Sequence, residues 1–190
     1  MTARTYTKTR RAEREAETRA RIIDATLALH TEVGPAHTTV SQIAERAGVQ
    51  RHTVYAHFPD EWSLLMACSG THLEREPMPS PEEWDTLNDP EARLTKALTA
   101  LYDWFARNET LTAAVLRDAE QHEPVRKIAA LRFAPGLEAI AGSLAAGLSK
   151  TGLAALHLAL SFHTWRTLVR EAGLKPADAV RLMVETITRG

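Results

Sequence analysis

The chain has 190 residues, 44% hydrophobic and 25% charged, which is enough to bury a hydrophobic core in one or two domains. Its single cysteine, Cys68, excludes an intrachain disulfide framework and is typical of a protein of the reducing cytoplasm. Residues 1–21 are polar throughout, unlike a secretory signal, and no apolar run reaches the roughly 18 residues of a membrane span. We therefore expect a cytoplasmic protein without a membrane-spanning segment.

The charge is distributed unevenly along the chain, although the formal net charge is only −1. Residues 1–58 carry nine Lys and Arg against six Asp and Glu, whereas the remaining 132 residues carry 14 against 18. A basic N-terminal part on an acidic remainder favours a protein that binds phosphate locally and stays soluble. Chance asymmetry of charge is the alternative, so this pattern supports nucleic-acid binding without establishing it.

Residues 1–9 are predicted to form a flexible arm ahead of a long helix from about Arg10 to Val33. The cations of this region could follow a phosphate backbone or enter a minor groove, although a disordered tail is the preferred interpretation. These cations are Arg4, Lys8, Arg10 and Arg11. The apolar stripe of the helix is Ile22, Ile23, Leu27, Leu29 and Val33. Gly34-Pro35 is predicted to end the helix.

A short amphipathic helix is predicted next. Its apolar residues recur at i, i+3, i+4 and i+7. They are Val40, Ile43, Ala44 and Ala47. Thr39 with Gln42 three residues later predicts a capping box at its start, and Gly48 predicts its end.

A second short helix is predicted after only a few residues, from about Arg51 to Phe58, with Val54 and Phe58 as its apolar face. Val49 fills the turn, and the small residues Ala44 and Ala47 allow the two helices to cross closely. This arrangement is a helix-turn-helix.

The second of these helices leaves polar and small residues for its outer surface, and no carboxylate is among them. They are Arg51, His52, Thr53, Ala56 and His57, with Tyr55 at the edge. Such side chains can donate to phosphates and base edges, so the helix could enter a major groove of about 12 Å. The alternative is the solvated corner of an ordinary helical bundle.

The stretch resembles the DNA-binding part of the TetR family of transcriptional regulators, over about residues 18 to 66. The matching residues are Thr38-Thr39-Val40, Ile43-Ala44, Ala47-Gly48-Val49, Thr53-Val54-Tyr55, His57-Phe58-Pro59 and Leu64-Leu65. The resemblance implies that Thr53 and its neighbours read bases, while Thr39, Tyr55 and His57 hold phosphates.

Ser41, Gln50 and Glu61 depart from residues common in the family, and Glu61 puts a repelling charge where a lysine often lies. The predicted DNA-contacting set is Thr39, Ser41, Gln50, Arg51, His52, Thr53, Tyr55, Ala56 and His57.

The remainder, residues 59–190, is predicted to be a helical ligand-binding and dimerisation domain behind a head of residues 1–58. Asp60 is expected to cap a helix that carries Trp62, Leu65 and Met66 on one side, and Trp84 to hold down a proline-rich loop over 74–89. Further helices are predicted to start at Asp89-Pro90, Thr110 and Pro124, with Pro135-Gly136 kinking or breaking the last. The expected fold class is all-α.

Two apolar sets are predicted on nearly opposite faces of one helix over Leu153–Val169. They are Leu153, Leu156 and Leu160, and Leu158, Phe162, Trp165 and Val169. A terminal helix follows Lys175-Pro176. We expect a homodimer through these last two helices, about residues 153–172 and 176–189, because closed two-fold dimers dominate soluble oligomers. A monomeric bundle is the alternative.

An apolar pocket for a small hydrophobic or aromatic effector is predicted among aromatic and histidine side chains, although such residues are more often plain core. The candidates are Trp104, Phe105, Leu116, His122, Phe133, Phe162, His163 and Trp165. Two heads would bind a pseudo-palindromic double-stranded DNA operator, and a ligand preferring another arrangement would release them. The sequence therefore predicts a ligand-responsive repressor.

A ligand-independent regulator or an activator of the same fold is the main alternative. A helical small-molecule enzyme is a remote one, because Ser161 and His163 are two positions apart on one helix and do not face each other. No cofactor or metal site is expected, since His30 and His37 lack partners at ligand spacing, and each is expected to be structural. Cys68 is expected to be a quiet, half-buried thiol rather than a redox switch.

Overall fold

The computed structural model describes the backbone of residues 3–190 and the side chains of residues 10–190. The α-helices of this part are α1 (Ala3–Glu32), α2 (Val40–Ala47), α3 (Arg51–His57), α4 (Glu61–Arg75), α5 (Pro90–Arg107), α6 (Glu109–Ala119), α7 (Glu123–Leu144), α8 (Lys150–Ala159), α9 (Phe162–Arg166) and α10 (Pro176–Arg189). Short 3-10 turns cover Pro35–His37 and Pro81–Glu83, and a π turn covers Thr167–Glu171. The described residues contain no strand, so the predicted all-α class is confirmed.

The N-terminal compact unit consists of the chain up to Arg75 together with the segment Ala113–Ala129. Its main core combines α1, α2, α3 and α4. The buried members are Ile22, Ile23, Ala25, Leu29, Ile43, Ala44, Ala47, Val54, Phe58, Leu64 and Cys68. A second cluster joins Leu65 to Val125 and Ile128 of α7. The unit is therefore larger than the predicted head of residues 1–58, and a functional boundary after residue 58 stays a prediction.

The C-terminal compact unit consists of Glu76–Thr112 and Ala130–Gly190. Here α10 packs against both α5 and α8. Asp89 caps α5 as predicted, because its carboxylate accepts hydrogen bonds at 3.2 Å from the backbone N–H groups of Glu91 and Ala92. Trp84 is fully buried and donates from Nε1 to Ser143 Oγ at 3.0 Å, which fixes the loop before α5 as expected. Among the described residues, no helix has both the length and the apolar character needed to cross a bilayer.

Two helix boundaries differ from the sequence prediction. The first helix begins at Ala3 rather than near Arg10, so residues 3–9 of the expected arm are helical; residues 1 and 2 and the side chains of 3–9 lie outside the described part. A break at Pro135-Gly136, one of the two outcomes expected there, does not occur, because α7 continues through Pro135; a kink at this point stays a prediction. Pro135 and Leu131 are both exposed, so water can bind the Leu131 carbonyl that loses its usual N–H partner.

The predicted helix over Leu153–Val169 is interrupted at Ser161. Its backbone is extended there (ψ 132°), and its hydroxyl accepts from the His163 N–H at 3.2 Å, which caps a new helix. The two apolar sets therefore belong largely to different helices, so they do not form opposite faces of one helix as predicted. Phe162 and Trp165 are buried within this chain, whereas Leu158 is 55% exposed.

Candidate nucleic-acid interface

Local interactions fix the start and end of α2. The Thr39 hydroxyl accepts from the Gln42 backbone N–H at 3.3 Å, and Gln42 Oε1 accepts from the Thr39 backbone N–H at 2.8 Å. This reciprocal pair is the predicted capping box. Gly48 then adopts a left-handed conformation (φ 65°), which ends α2 and turns the chain toward α3.

The packing of α3 against the core determines which of its side chains face solvent. Val54 and Phe58 are 1% and 3% exposed, so they anchor this short helix to the core. Small side chains at Ala44 and Ala47 are buried in the facing helix, as predicted from the sequence. The opposite side of α3 is consequently presented to solvent.

The predicted DNA-contacting residues lie on α2, on α3 and on the residues that precede each helix. Those that are exposed are Thr39, Ser41, Gln50, Arg51, His52, Tyr55 and Ala56, while Thr53 and His57 are half-buried. No carboxylate lies within α3. The surface therefore offers hydrogen-bond donors and one permanent cation, with small residues that allow close approach.

The Thr39 hydroxyl group already donates a hydrogen bond to Gln42 Oε1, with 2.8 Å between the two oxygen atoms. A phosphate contact through this hydroxyl would replace that bond, whereas the backbone capping interactions would persist. Thr39 thus has a structural role besides its predicted contact.

Glu61, the departure from the family pattern, lies in the first turn of α4 and faces His122 Nε2 at 3.4 Å. Asp60 caps α4 by accepting from the Ser63 backbone N–H at 2.7 Å. Hydrogen bonds from the Ser63 backbone and hydroxyl hold the pKa of Asp60 below its usual value, so this carboxylate is ionised at neutral pH.

One further residue beside α3, Arg19, was not identified by sequence reasoning. The guanidinium carbon of Arg19 lies 5.0 Å from the centroid of the Phe58 ring, which places an α1 cation beside the C-terminal end of α3. Trp62 was assigned to the apolar side of α4, but it is 42% exposed, while Leu64, Leu65 and Cys68 form the buried side. The only sequence feature that points to Arg19 is its position one helical turn before the apolar residues Ile22 and Ile23.

Cys68 is more deeply buried than the half-buried thiol predicted from the sequence, and His30 is buried beside it. His30 is 5% and Cys68 2% exposed, and His30 Nδ1 lies 3.8 Å from Cys68 Sγ. Burial lowers the pKa of His30 to about 4, against a smaller opposing effect of Asp118. His37 is exposed, with Nδ1 3.8 Å from the Asp118 carboxylate.

The predicted effector-pocket residues divide between the two units. Trp104, Phe105, Phe133, Phe162 and Trp165 form an aromatic cluster in the C-terminal unit, with neighbouring ring centroids 5.4–6.0 Å apart. Most of these rings are buried, but Phe133 is only half-buried.

His163 is exposed at the edge of this cluster, with its ring centroid 5.9 Å from that of Phe162. Leu116 and His122 belong to the N-terminal unit.

Comparison with known proteins agrees with this geometry. Residues 22–68 match the sequence model of the family described as "Bacterial regulatory proteins, tetR family". The chain is 33% identical over 106 residues to the HTH-type transcriptional repressor KstR of Mycolicibacterium smegmatis, covering 56% of this chain and 52% of that protein. It is 47% identical over 51 residues to the HTH-type transcriptional regulator SrpR of Pseudomonas putida, covering 27% and 24%. The chain therefore matches about half the length, or less, of these curated relatives.

Similarity to solved structures extends over most of the chain. The transcriptional regulator FadR of Bacillus subtilis, solved in complex with stearoyl-CoA, aligns with 88% of this chain and 96% of its own, at a TM-score of 0.63 and 18% identity. At this identity the alignment shows a shared fold. The helix-turn-helix geometry and the family match lead to the same conclusion: residues 22–68 form a helix-turn-helix region of the TetR family of bacterial regulatory proteins.

Proposed function

We propose that this protein is a cytoplasmic transcriptional repressor that binds a pseudo-palindromic DNA operator as a homodimer and releases it when a small hydrophobic or aromatic molecule binds. The observation that carries the DNA-binding part is the division of α3, whose apolar residues Val54 and Phe58 are buried while Arg51 and His52 are exposed. A helix of this kind enters the major groove with its N-terminal residues leading.

The predicted contacts divide by chemistry. Arg51 and His52, at the start of α3, are suited to base edges, because Arg donates two parallel hydrogen bonds to guanine O6 and N7. Thr53 and Ala56 allow close approach to the bases. Thr39, Tyr55 and His57 are suited to phosphates, which would fix orientation without reading sequence.

Exposed leucines support a dimer through α8 and α10. Leu158 is 55% and Leu182 44% exposed. The two helices run antiparallel, because the C-terminal Gly190 lies against Gly152 at the start of α8. Leu158 and Leu182 are therefore at about the same level of the pair. Covering both with a second copy would remove apolar surface from water and present two heads to one duplex.

The effector is placed in the C-terminal unit, near Phe133 of the aromatic cluster. Rings already in edge-on contact form an apolar wall, and movement of the half-buried Phe133 would admit an apolar group beside Trp104, 6.0 Å away between centroids. The similar fold of FadR, solved with stearoyl-CoA, supports a ligand with a long apolar part. Only a molecule with unequal affinity for the two arrangements of the dimer could cause release.

Repression is proposed over activation because KstR, with which this chain shares 33% identity over 106 residues, is named a repressor. These relatives are transcriptional regulators and not enzymes, so they give no support to the enzyme alternative. One measurement distinguishes a ligand-independent regulator from the proposed repressor: no effector would weaken the DNA binding of the ligand-independent protein.

Selection of bound sites from random duplexes tests the proposal most directly. We expect inverted repeats whose centres are about 34 Å apart, or a small multiple of that distance. Recovery of no enriched sequence, or of single half-sites only, would contradict it.

Arg51→Ala should weaken binding to the selected site by about 1–3 kcal/mol and relax preference at one base pair. Lys127→Ala is the matched control, since this exposed cation pairs with Glu123 on α7 rather than lying on α3. Equal loss on specific and random DNA would assign Arg51 to phosphate.

A further inference from the structure

A pocket of about 260 Å³ opens on the surface of the N-terminal unit, where helices α1, α2, α3 and α4 meet. Its walls are largely apolar, formed by Val40, Ile43, Val54, Phe58 and Leu64. We call it the N-terminal cavity. It lies directly behind the predicted DNA-binding surface, in a different compact unit from the aromatic cluster.

The size of the N-terminal cavity suits a small ligand. An engineered apolar cavity of about 150 Å³ is enough to bind benzene, while pockets for drug-sized ligands begin near about 300 Å³. A volume of about 260 Å³ therefore admits one aromatic ring with a short side chain.

The charge at the cavity edge is negative. Asp60 and Glu61 line the cavity and are exposed at the start of α4. The positive end of a helix is equivalent to roughly half a charge, so two carboxylates outweigh it. The His122 ring also reaches this edge, with Nε2 3.4 Å from Glu61, so it competes with a ligand for that carboxylate.

The interior supplies no opposing charge. His30 also lines the cavity, and its burial keeps the imidazole neutral at physiological pH. No Lys or Arg is among the residues that line this cavity.

We propose that the N-terminal cavity binds a small aromatic amine, with the ring against Val40, Tyr55 and Leu64 and the ammonium group at Asp60 and Glu61. Apolar burial provides most of the affinity, and the carboxylates select the cation over a neutral molecule of the same shape. The inference concerns the free protein and does not require the proposed function.

Its consequence for DNA does rest on the proposed function. Tyr55 lines the cavity and is also a predicted phosphate contact on α3. A ligand that holds α3 and α4 apart would alter the presentation of Tyr55, so bound amine and bound DNA should oppose each other.

Titration of the full chain, without DNA, with 2-phenylethylamine and with 2-phenylethanol tests the site. We expect the amine to bind about 2- to 5-fold more tightly than the alcohol, the range for one solvent-exposed ion pair. Nuclear Overhauser contacts from the ring protons should reach the methyl groups of Val40 and Leu64. No binding, or contacts to other methyl groups, would overturn the proposal.

Three variants locate the determinants. Glu61→Gln should reduce the preference for the amine, because only the Asp60 carboxylate then remains, while the alcohol still binds. Glu45→Gln, which changes an exposed carboxylate of the same unit outside the cavity, should leave the preference intact. Val40→Phe should fill the cavity and prevent binding of both probes. Should Val40→Phe fail to fold, the Glu61→Gln comparison alone decides, and an unchanged amine preference there overturns the proposal.

DNA binding is measured separately with the wild-type chain and a selected operator. Failure to bind any operator would refute the proposed function and leave the cavity result standing. Operator binding that saturating amine does not weaken would refute the opposition between the two ligands.

Discussion

The carboxylate of Asp118 accepts a hydrogen bond from the backbone N–H of Ala36 at 2.9 Å, joining residues 82 positions apart in the chain. Its side chain is only 2% exposed, and it also accepts from Arg117 Nε at 2.8 Å. Arg117 in turn donates to the Val33 carbonyl at 3.0 Å. The end of α6 is thereby fastened to the turn that precedes the helix-turn-helix, within the N-terminal unit.

Asp118→Asn should lower the free energy of unfolding by about 1.5–3 kcal/mol, the range for hydrogen bonds to a charged group. An amide keeps an acceptor for Ala36 but turns its N–H₂ toward the donors of Arg117. Urea denaturation measures the change, and Glu120→Gln, exposed on the same segment, is the control. A loss no greater than that of Glu120→Gln would show that the contact contributes little.

The same contact has a pH dependence of known sign. Burial alone would raise the pKa of Asp118, but hydrogen bonds from Arg117 and Ala36, with the positive charge of Arg117, hold it below its usual value. Its stabilising contribution is therefore complete above the unfolded pKa, about 3.9, and is lost as the pH falls through the folded pKa.

Gly34→Ala should be strongly destabilising. Gly34 has φ 97°, and an added Cβ would overlap the side chains of Arg117 and Asp118, which are held by the hydrogen bonds described above. We expect a cost above about 1 kcal/mol. Gly142→Ala is the matched control, because no atom lies within 4 Å of its Cβ position on α7 and alanine favours a helix. Equal melting temperatures for the two variants would contradict this account.

His30 makes stability depend on pH in a second range. Because burial lowers its pKa to about 4, the unfolded chain takes up this proton first as the pH falls below about 6.5. The contribution is present above pH 6.5 and declines by up to about 1.4 kcal/mol per pH unit until about pH 4. Urea unfolding at several pH values should therefore give a flatter profile for His30→Leu than for wild type; parallel profiles would argue against a neutral buried imidazole.

Leu158→Glu should convert the proposed dimer into monomers, because it places a charge in the centre of the α8 and α10 surface. Analytical ultracentrifugation measures the change in mass. Leu131→Glu is the matched control, since Leu131 is similarly exposed, 50% against 55%, but lies on α7. Dissociation by Leu131→Glu alone would move the interface to α7. Trp165 is unsuitable for this test, because it is buried within its own chain and its substitution would disturb the fold of the monomer.

Short-range patterns of this chain were sufficient to predict its helix-turn-helix. Thr39 and Gln42 cap α2 across three residues, and Gly48 ends it with φ 65°. Each feature depends on atoms within about one helical turn, so the identities of neighbouring residues nearly specify the geometry of the helix ends. The exposed face of α3 followed as soon as Val54 and Phe58 were recognised as its buried residues.

Prediction from local patterns failed where packing between residues distant in the chain determined the structure. Ser161 is extended and starts a new helix inside an otherwise continuous apolar pattern, which separates Leu158 from Phe162 and Trp165. Phe162 and Trp165 then pack on Phe105, 57 and 60 positions earlier in the chain, with centroids 5.5 and 5.9 Å from its ring. Helical periodicity assigns a residue to a face but does not identify what covers that face.

The sequence by itself determined the helical class, the capped helix-turn-helix and the polar face of α3, because these follow from hydrogen bonds and periodicities within a few residues. Only the tertiary structure decided the burial of Asp118 against Ala36, the pairing of Glu61 with His122 and the cavity behind α3. Those features join groups tens of residues apart, and their free energy depends on distances that no local pattern of residues specifies.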